Sequence, residues 1–201
     1  KTFSNFADIK ATRPSYTDVA TAYQELENKL QEGSVENRQA ALKEWDSLMR
    51  TIDTWRALTH LRFAQNTQDE ERISERDFCD ELTPRLIDLE VALKRRMMTS
   101  DEQDITSSIL PSHLKALWRA DLASFDPRIE RSMVREAKLS AEYVALLAGA
   151  RVTIDGKQYQ LSEIGNFLSL KDRDLRRRAE QARWGFFAEH GATLDRIFDD
   201  M

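Results

Sequence analysis

Helix breakers are scarce in this chain: 201 residues hold 6 glycines and 4 prolines. Charged residues recur instead at helical spacing, so most of the chain is predicted to be helix. Cysteine is nearly absent. Cys79 stands alone, which excludes an intrachain disulfide and fits the reducing cytosol. Its neighbours Phe78 and Leu82 in a helical pattern make it a small core residue rather than a reactive thiol. No apolar run is long enough to span a bilayer and no signal peptide is visible, so a membrane partner is not expected. Basic residues are not in excess, at 30 against 35 acidic and a formal net charge of -5. That balance argues against a general nucleic-acid binder, which needs surplus Lys and Arg to neutralise phosphates. The run Arg176-Arg177-Arg178 is offset by Asp172, Asp174 and Glu180 and reads as a solvated helix face.

Catalytic motifs are missing as well. His60, His113 and His190 lie far apart, and none belongs to HExxH or to a Cys/His pair at metal spacing. There is no glycine-rich phosphate loop and no G-x-S-x-G elbow. Carboxylates are plentiful, but no pair stands out from the solvated background. No residue is therefore assigned a catalytic or metal-binding role, and no cofactor is expected in this chain.

What is present is helical periodicity over a hydrophobic content of 41%, enough for one large or two small domains. A first helix is predicted after Pro14, carrying Val19, Tyr23, Leu26 and Leu30 and ending at Gly33. Ser34 opens a second helix of roughly 30 residues, about 45 Å long. Its seam is Trp45, Leu48, Ile52 and Trp55, widened by Ala41, Met49, Leu58 and Leu61. A third carries Phe78, Leu82, Leu86, Leu89, Leu93 and Met97, with Pro84 expected to kink or divide it. Ser100 to Ser108 reads as a polar connection. Pro111 begins a short helix with Leu114, Leu117 and Trp118, and Asp126-Pro127 supplies a cap and first turn for a helix stopped by Gly149.

One segment departs from helix. RVTIDGKQYQL, Arg151 to Leu161, is predicted to be a β-hairpin turning at Asp155-Gly156 in a type I′ turn. That register pairs Ile154 with Lys157 and Val152 with Tyr159, placing Val152, Ile154, Tyr159 and Leu161 on one face. A lone hairpin is marginal in water, so this face must lie on helices. Ser162 then opens a short helix, Ser169-x-x-Asp172 another, and helical spacing resumes after Gly191. The fold class is all-α: a multi-helix array with a long antiparallel helix pair and one small hairpin over about residues 151–161.

Between the second and third helices lies RFAQNTQDE. Asn66 suits a helix stop, because Asn tolerates the left-handed conformation found there. Thr67-Gln68-Asp69-Glu70 has the form of a capping box, with the Thr hydroxyl on the Glu70 amide and Asp69 adding charge near the helix start. Such a corner makes the two helices antiparallel. Arg62, one turn inside the seam, is left without an account by the corner alone.

Taken in order, RPSYTDV, EWDSLMRTIDT, RFAQNTQDE, FCDELTPRLIDLE, the stretch from LSAEY through the DG hairpin to KDRDLRRRA, and FFAEHGATLDRIFDDM cover nearly the whole chain. Together they resemble the N-terminal region of the oligoendopeptidase F family, zinc metallopeptidases related to thimet oligopeptidase. The resemblance implies a longer, cytoplasmic parent that hydrolyses short peptides. Its catalytic domain would follow this chain and carry HExxH and a further glutamate on zinc. Lys1 in place of Met and the uncapped helical pattern of LDRIFDDM agree with a chain cut from something longer. Residues 1–170 would form the non-catalytic helical domain with its hairpin, and 171–201 the start of the catalytic domain. By resemblance this chain forms much of a channel wall opposite the zinc. Arg62, Asn66, Thr67 and Asp69 then carry two readings. Arg62 packs its stem on the seam and its guanidinium locks the corner, capping carbonyls or pairing with Asp69 or Glu70; or Arg62 and Asn66 face the channel and hold substrate. The alternative to the whole assignment is a stand-alone helical scaffold that binds a protein partner without catalysis.

Overall fold

In a computed structural model, residues 9–32, 34–99 and 110–201 are described. Gly33 and the connection 100–108, for which an ending and a polar linker are expected, lie outside them. Among the described residues the chain is helical apart from one hairpin: α1 (Tyr16–Glu32), α2 (Val35–Gln65), α3 (Glu70–Thr99), α4 (Ser112–Ser124), α5 (Glu130–Gly149), β1 (Arg151–Ile154), β2 (Lys157–Gln160), α6 (Ile164–Leu168), α7 (Arg173–Glu189) and α8 (Gly191–Asp200). It divides into two compact units. One takes residues up to Leu61 together with Phe78–Arg131; the other takes Arg62–Asp77 and Ser132–Met201.

The first unit is helix on helix. Val19 and Tyr23 of α1, Ile52 and Trp55 of α2, and Cys79, Leu82, Leu86 and Leu93 of α3 form one buried cluster. Each large side chain buried this way contributes about 1.5–3 kcal/mol. Trp55 meets Phe78 edge-on at 6.1 Å, so α2 and α3 pack where their apolar seams face each other. Trp45 does two jobs at once. Its indole N–H donates to the Tyr23 hydroxyl at 3.1 Å, and its ring meets Trp118 of α4 edge-on at 5.4 Å. Burial raises the Tyr23 phenol well above its ordinary range, so it stays neutral at any physiological pH. Lys94, also buried, is held by Glu90 at 2.5 Å and by Asp121 of α4 at 2.6 Å. Burial alone pulls its ammonium pKa down, but the bonds to Asp121 and Glu90 outweigh this and raise it.

The division expected at Pro84 and the place expected for Leu61 both fail here. α3 runs undivided from Glu70 to Thr99 with Pro84 inside it. Leu82 and Leu86 are buried on either side of the proline, and their packing outweighs the roughly 3 kcal/mol that a mid-helix proline costs. Leu61 does not widen the α2 seam; it is 51% exposed. Three residues past Leu58 the helix has turned about 300°, and the buried stripe continues instead through Thr59 and Phe63.

The second unit is built on the hairpin. β1 and β2 pair antiparallel with Val152 opposite Tyr159 and Ile154 opposite Lys157, the register read from the sequence. Asp155 at φ 49° and Gly156 at φ 79° make the turn left-handed at both central positions, as a type I′ turn requires. Val152 and Ile154 bury against Ile164, Ala179 and Phe186 of α6 and α7, and Tyr159 meets Phe167 edge-on at 4.8 Å. Arg178 of α7 pairs with the turn residue Asp155 at 2.9 Å, and Arg176 donates to the carbonyls of Leu170 and Lys171. The arginine run thus splits its tasks: Arg177 pairs within the helix with Asp174, while its neighbours hold other segments.

α5 is one continuous helix ending at Gly149. The helix starts after the hairpin also differ from expectation. A 3-10 turn over Leu161–Glu163, closed by the Gln160 amide donating to Glu163 Oε2 at 2.6 Å, precedes α6. α7 is capped by Asp172, whose carboxylate accepts from the amides of Asp174 and Leu175. Ser169 donates instead to the carbonyl of Asn166, closing the preceding helix.

Candidate functional site

The corner between α2 and α3 is held almost entirely by its own polar groups. The Asn66 amide is shared between the carbonyls of Arg62 at 3.3 Å and Phe63 at 3.1 Å. Asn66 Oδ1 accepts from the Gln68 amide at 3.2 Å. Asp69 Oδ1 accepts from the amides of Glu71 and Arg72, both at 3.1 Å, and so caps α3. Arg72 closes the loop: Nη1 donates to the Arg62 carbonyl at 2.8 Å and Nε lies 3.3 Å from Asp69 Oδ2. One turn on, the Arg76 guanidinium sits 4.5 Å over the Phe63 ring.

This geometry corrects the capping-box reading. The cap is Asp69, not Thr67, which is buried in the turn. A carboxylate at the helix N-terminus accepts more strongly than a hydroxyl and also meets the positive end of the helix dipole. Asn66 is not left-handed either, since Asp155 is the sole non-glycine at positive φ among the described residues. It ends α2 through its side chain, in an Asx turn. Of the four residues singled out, Arg62 contributes its carbonyl, Asn66 and Asp69 their side-chain oxygens, and Thr67 its buried bulk. The guanidinium on the α2 carbonyls is that of Arg72, which the sequence reading passed over because it lies inside the next helix. No nucleophile stands beside a base here, so these groups can hold a turn or a polar ligand but cannot by themselves cleave a bond.

A second cluster escaped the sequence reading altogether. His60 on α2 faces Cys79 and Asp80 on α3. His60 Nε2 lies 3.9 Å from Cys79 Sγ and 3.6 Å from Asp80 Oδ1. The three donor atoms all fall within 4.8 Å of one another, the one such group among the described residues. Cys79 is fully buried and the Asp80 side chain is 3% exposed, whereas the His60 ring is 51% exposed. Nothing in the spacing of one histidine and a Cys-Asp pair 19 residues later signals a site; only the antiparallel pairing of two helices brings them together.

The chain matches the family model described as Peptidase M3 N-terminal domain over residues 6–125. Among solved structures it is similar to Pz peptidase A in complex with an inhibitor, at 29% identity and a TM-score of 0.91 over 98% of this chain. It is also similar to a crystal structure assigned to oligoendopeptidase F from Bacillus anthracis strain Ames, at 25% identity and a TM-score of 0.92 over 100% of this chain. A further structure assigned to oligoendopeptidase F gives 28% identity and a TM-score of 0.90 over 97% of this chain. The chain spans little over a third of each of them: 35%, 37% and 35%. No curated protein sequence matches it. The catalytic zinc that an M3 peptidase implies is not one these residues fit, since the chain has no HExxH and its histidines lie on separate elements. A family match over more than half the chain and near-complete superposition on solved relatives agree: the chain belongs to the peptidase M3 N-terminal domain family, as the N-terminal region of an oligoendopeptidase F-like peptidase.

Proposed function

We propose that this chain is the non-catalytic, channel-forming part of a cytosolic zinc oligopeptidase that hydrolyses short peptides. The observation that carries the reading is the match of the chain end to end to peptidases of which it makes up about a third. A helical wall with no catalytic motif of its own can act on the reaction only by shaping which substrates reach the zinc held elsewhere in the parent. Residues 1–170 supply that wall and 171–201 lead into the catalytic domain. A cytosolic setting is supported by the single cysteine, and no described helix is long and apolar enough to cross a membrane. The corner of Arg62, Asn66, Thr67 and Asp69 serves this wall as a structural lock. Its bonds are spent on ending α2 and starting α3, which leaves little to offer a substrate.

The test uses the full-length parent and its Arg72→Met variant, which keeps the stem and removes the guanidinium that holds the Arg62 carbonyl and Asp69. The parent should cleave a quenched fluorescent peptide of under about 15 residues in a chelator-sensitive way and leave folded proteins intact. Absence of peptide hydrolysis would sink the peptidase reading. In the variant, the melting temperature should fall while KM barely moves. An unchanged melting temperature with KM raised at least about tenfold, roughly 1.4 kcal/mol, would make the corner a substrate site.

A further inference from the structure

We propose that His60, Cys79 and Asp80 form a binding site for a divalent transition-metal ion of the zinc class. The donor set is the first reason. A thiolate, an imidazole and a carboxylate suit zinc-like ions and exclude magnesium and calcium, which take oxygen ligands only. Their charges suit the place too: a dication with one thiolate, one carboxylate and a neutral imidazole sums to zero, so these groups together carry no net charge once loaded.

Geometry is the second reason. Tetrahedral zinc with ordinary bond lengths sets its nitrogen and sulfur or oxygen ligands about 3.4–3.6 Å apart. The observed 3.9 Å from Nε2 to Sγ and 3.6 Å from Nε2 to Oδ1 need a contraction of only a few tenths of an ångström, and the remaining pair, within 4.8 Å, needs at most about 1.2 Å. Sγ and Oδ1 moreover approach the same ring nitrogen. In a nucleophile–histidine–acid relay they would stand on opposite nitrogens, with the acid orienting the ring from behind. Here thiol and carboxylate meet the ring at a single nitrogen instead. The thiol's complete burial also removes it from any substrate.

The site has a support and an opening. Cys79 and Asp80 are consecutive on α3, where the Thr83 hydroxyl donates to the Cys79 carbonyl at 2.7 Å. The half-exposed His60 ring is the side from which an ion and a fourth, water ligand can enter. As the metal–sulfur bond forms, the thiol S–H bond breaks and its proton passes to solvent, so affinity should rise with pH. Such an ion would clamp α2 to α3 whether or not the parent hydrolyses peptides.

Cobalt(II) is the probe. The reduced, metal-free full chain is titrated with Co2+ and followed in the near ultraviolet for thiolate-to-cobalt charge transfer, which in this chain can come only from Cys79. The band should saturate at one equivalent, bleach on adding Zn2+, and be absent from Cys79→Ser. His60→Gln, at a half-exposed position the core can spare, should keep wild-type helicity and bind Co2+ at least about tenfold more weakly. No charge-transfer band in the folded wild-type chain, or an unchanged midpoint in His60→Gln, would overturn the site. Should Cys79→Ser fail to fold, the wild-type band and His60→Gln decide the matter.

Discussion

The chain reverses direction at Asp155-Gly156 and again at Asn66–Asp69, and the two reversals differ in how many residues could have built them. The hairpin turn needs positive φ at both central positions, which few side chains tolerate, and the polarity of the flanking strands agrees with just one register. Its sequence therefore has one solution. The helix corner needs only an oxygen near the first free amides of α3, and Thr67 and Asp69 both carry one. Which of them caps depends on which is drawn into the turn and which is left beside the amides. Thr67 goes inside and Asp69 stays at the helix end. The same substitution of one acceptor for another recurs at α7, where Asp172 caps in place of Ser169. Backbone strain thus makes a turn legible, whereas hydrogen-bonding capacity spread over neighbouring residues leaves a cap ambiguous.

The strongest way to break the contrast is Gly156→Val. No atom lies within 4 Å of an added Cβ, so the cost is the strain of holding a β-branched residue at φ +79°. A loss of about 1–3 kcal/mol is expected, read as a lower melting midpoint; an unchanged midpoint would show that the turn is not bound to type I′. Next in size is the cap. Asp69→Ala should cost about 1 kcal/mol in chemical denaturation, and Thr67→Val, which keeps the buried volume, clearly less. The reverse order would restore Thr67 as the cap.

The smallest effect is at acid pH. Arg128, through its side chain and then its amide, holds the exposed cap Asp126 down at about 2 against an ordinary 3.8. Hydrogen bonds from the Leu175 and Asp174 amides likewise lower Asp172, although burial works against them. A carboxylate depressed in the folded state stabilises above its unfolded pKa and loses that contribution as pH falls through the folded value. The difference in melting temperature between wild type and Asp126→Asn should therefore be constant above about pH 5 and collapse between about pH 4 and 2. A difference that persists at pH 2 would remove Asp126 from the ion pair.

By itself the sequence determined the helical class, the two seams on α2 and α3, the hairpin with its register, and the family. Each of these is a local or periodic property: scarce helix breakers, apolar residues every three or four positions, a turn that tolerates few residues, a series of motifs in order. Tertiary structure decided the rest. Pro84 stays inside an unbroken α3 because Leu82 and Leu86 are buried beside it. Leu61 faces out because the buried stripe of α2 follows Thr59 and Phe63. Arg72 reaches an α2 carbonyl because the corner brings the next helix back within its reach. His60 meets Cys79 and Asp80 for the same reason: residues 19 and 20 positions apart become neighbours only where two helices run antiparallel. Contacts across a helix pair depend on the rotation of each helix about its axis, and that rotation is set by the packing of the whole seam.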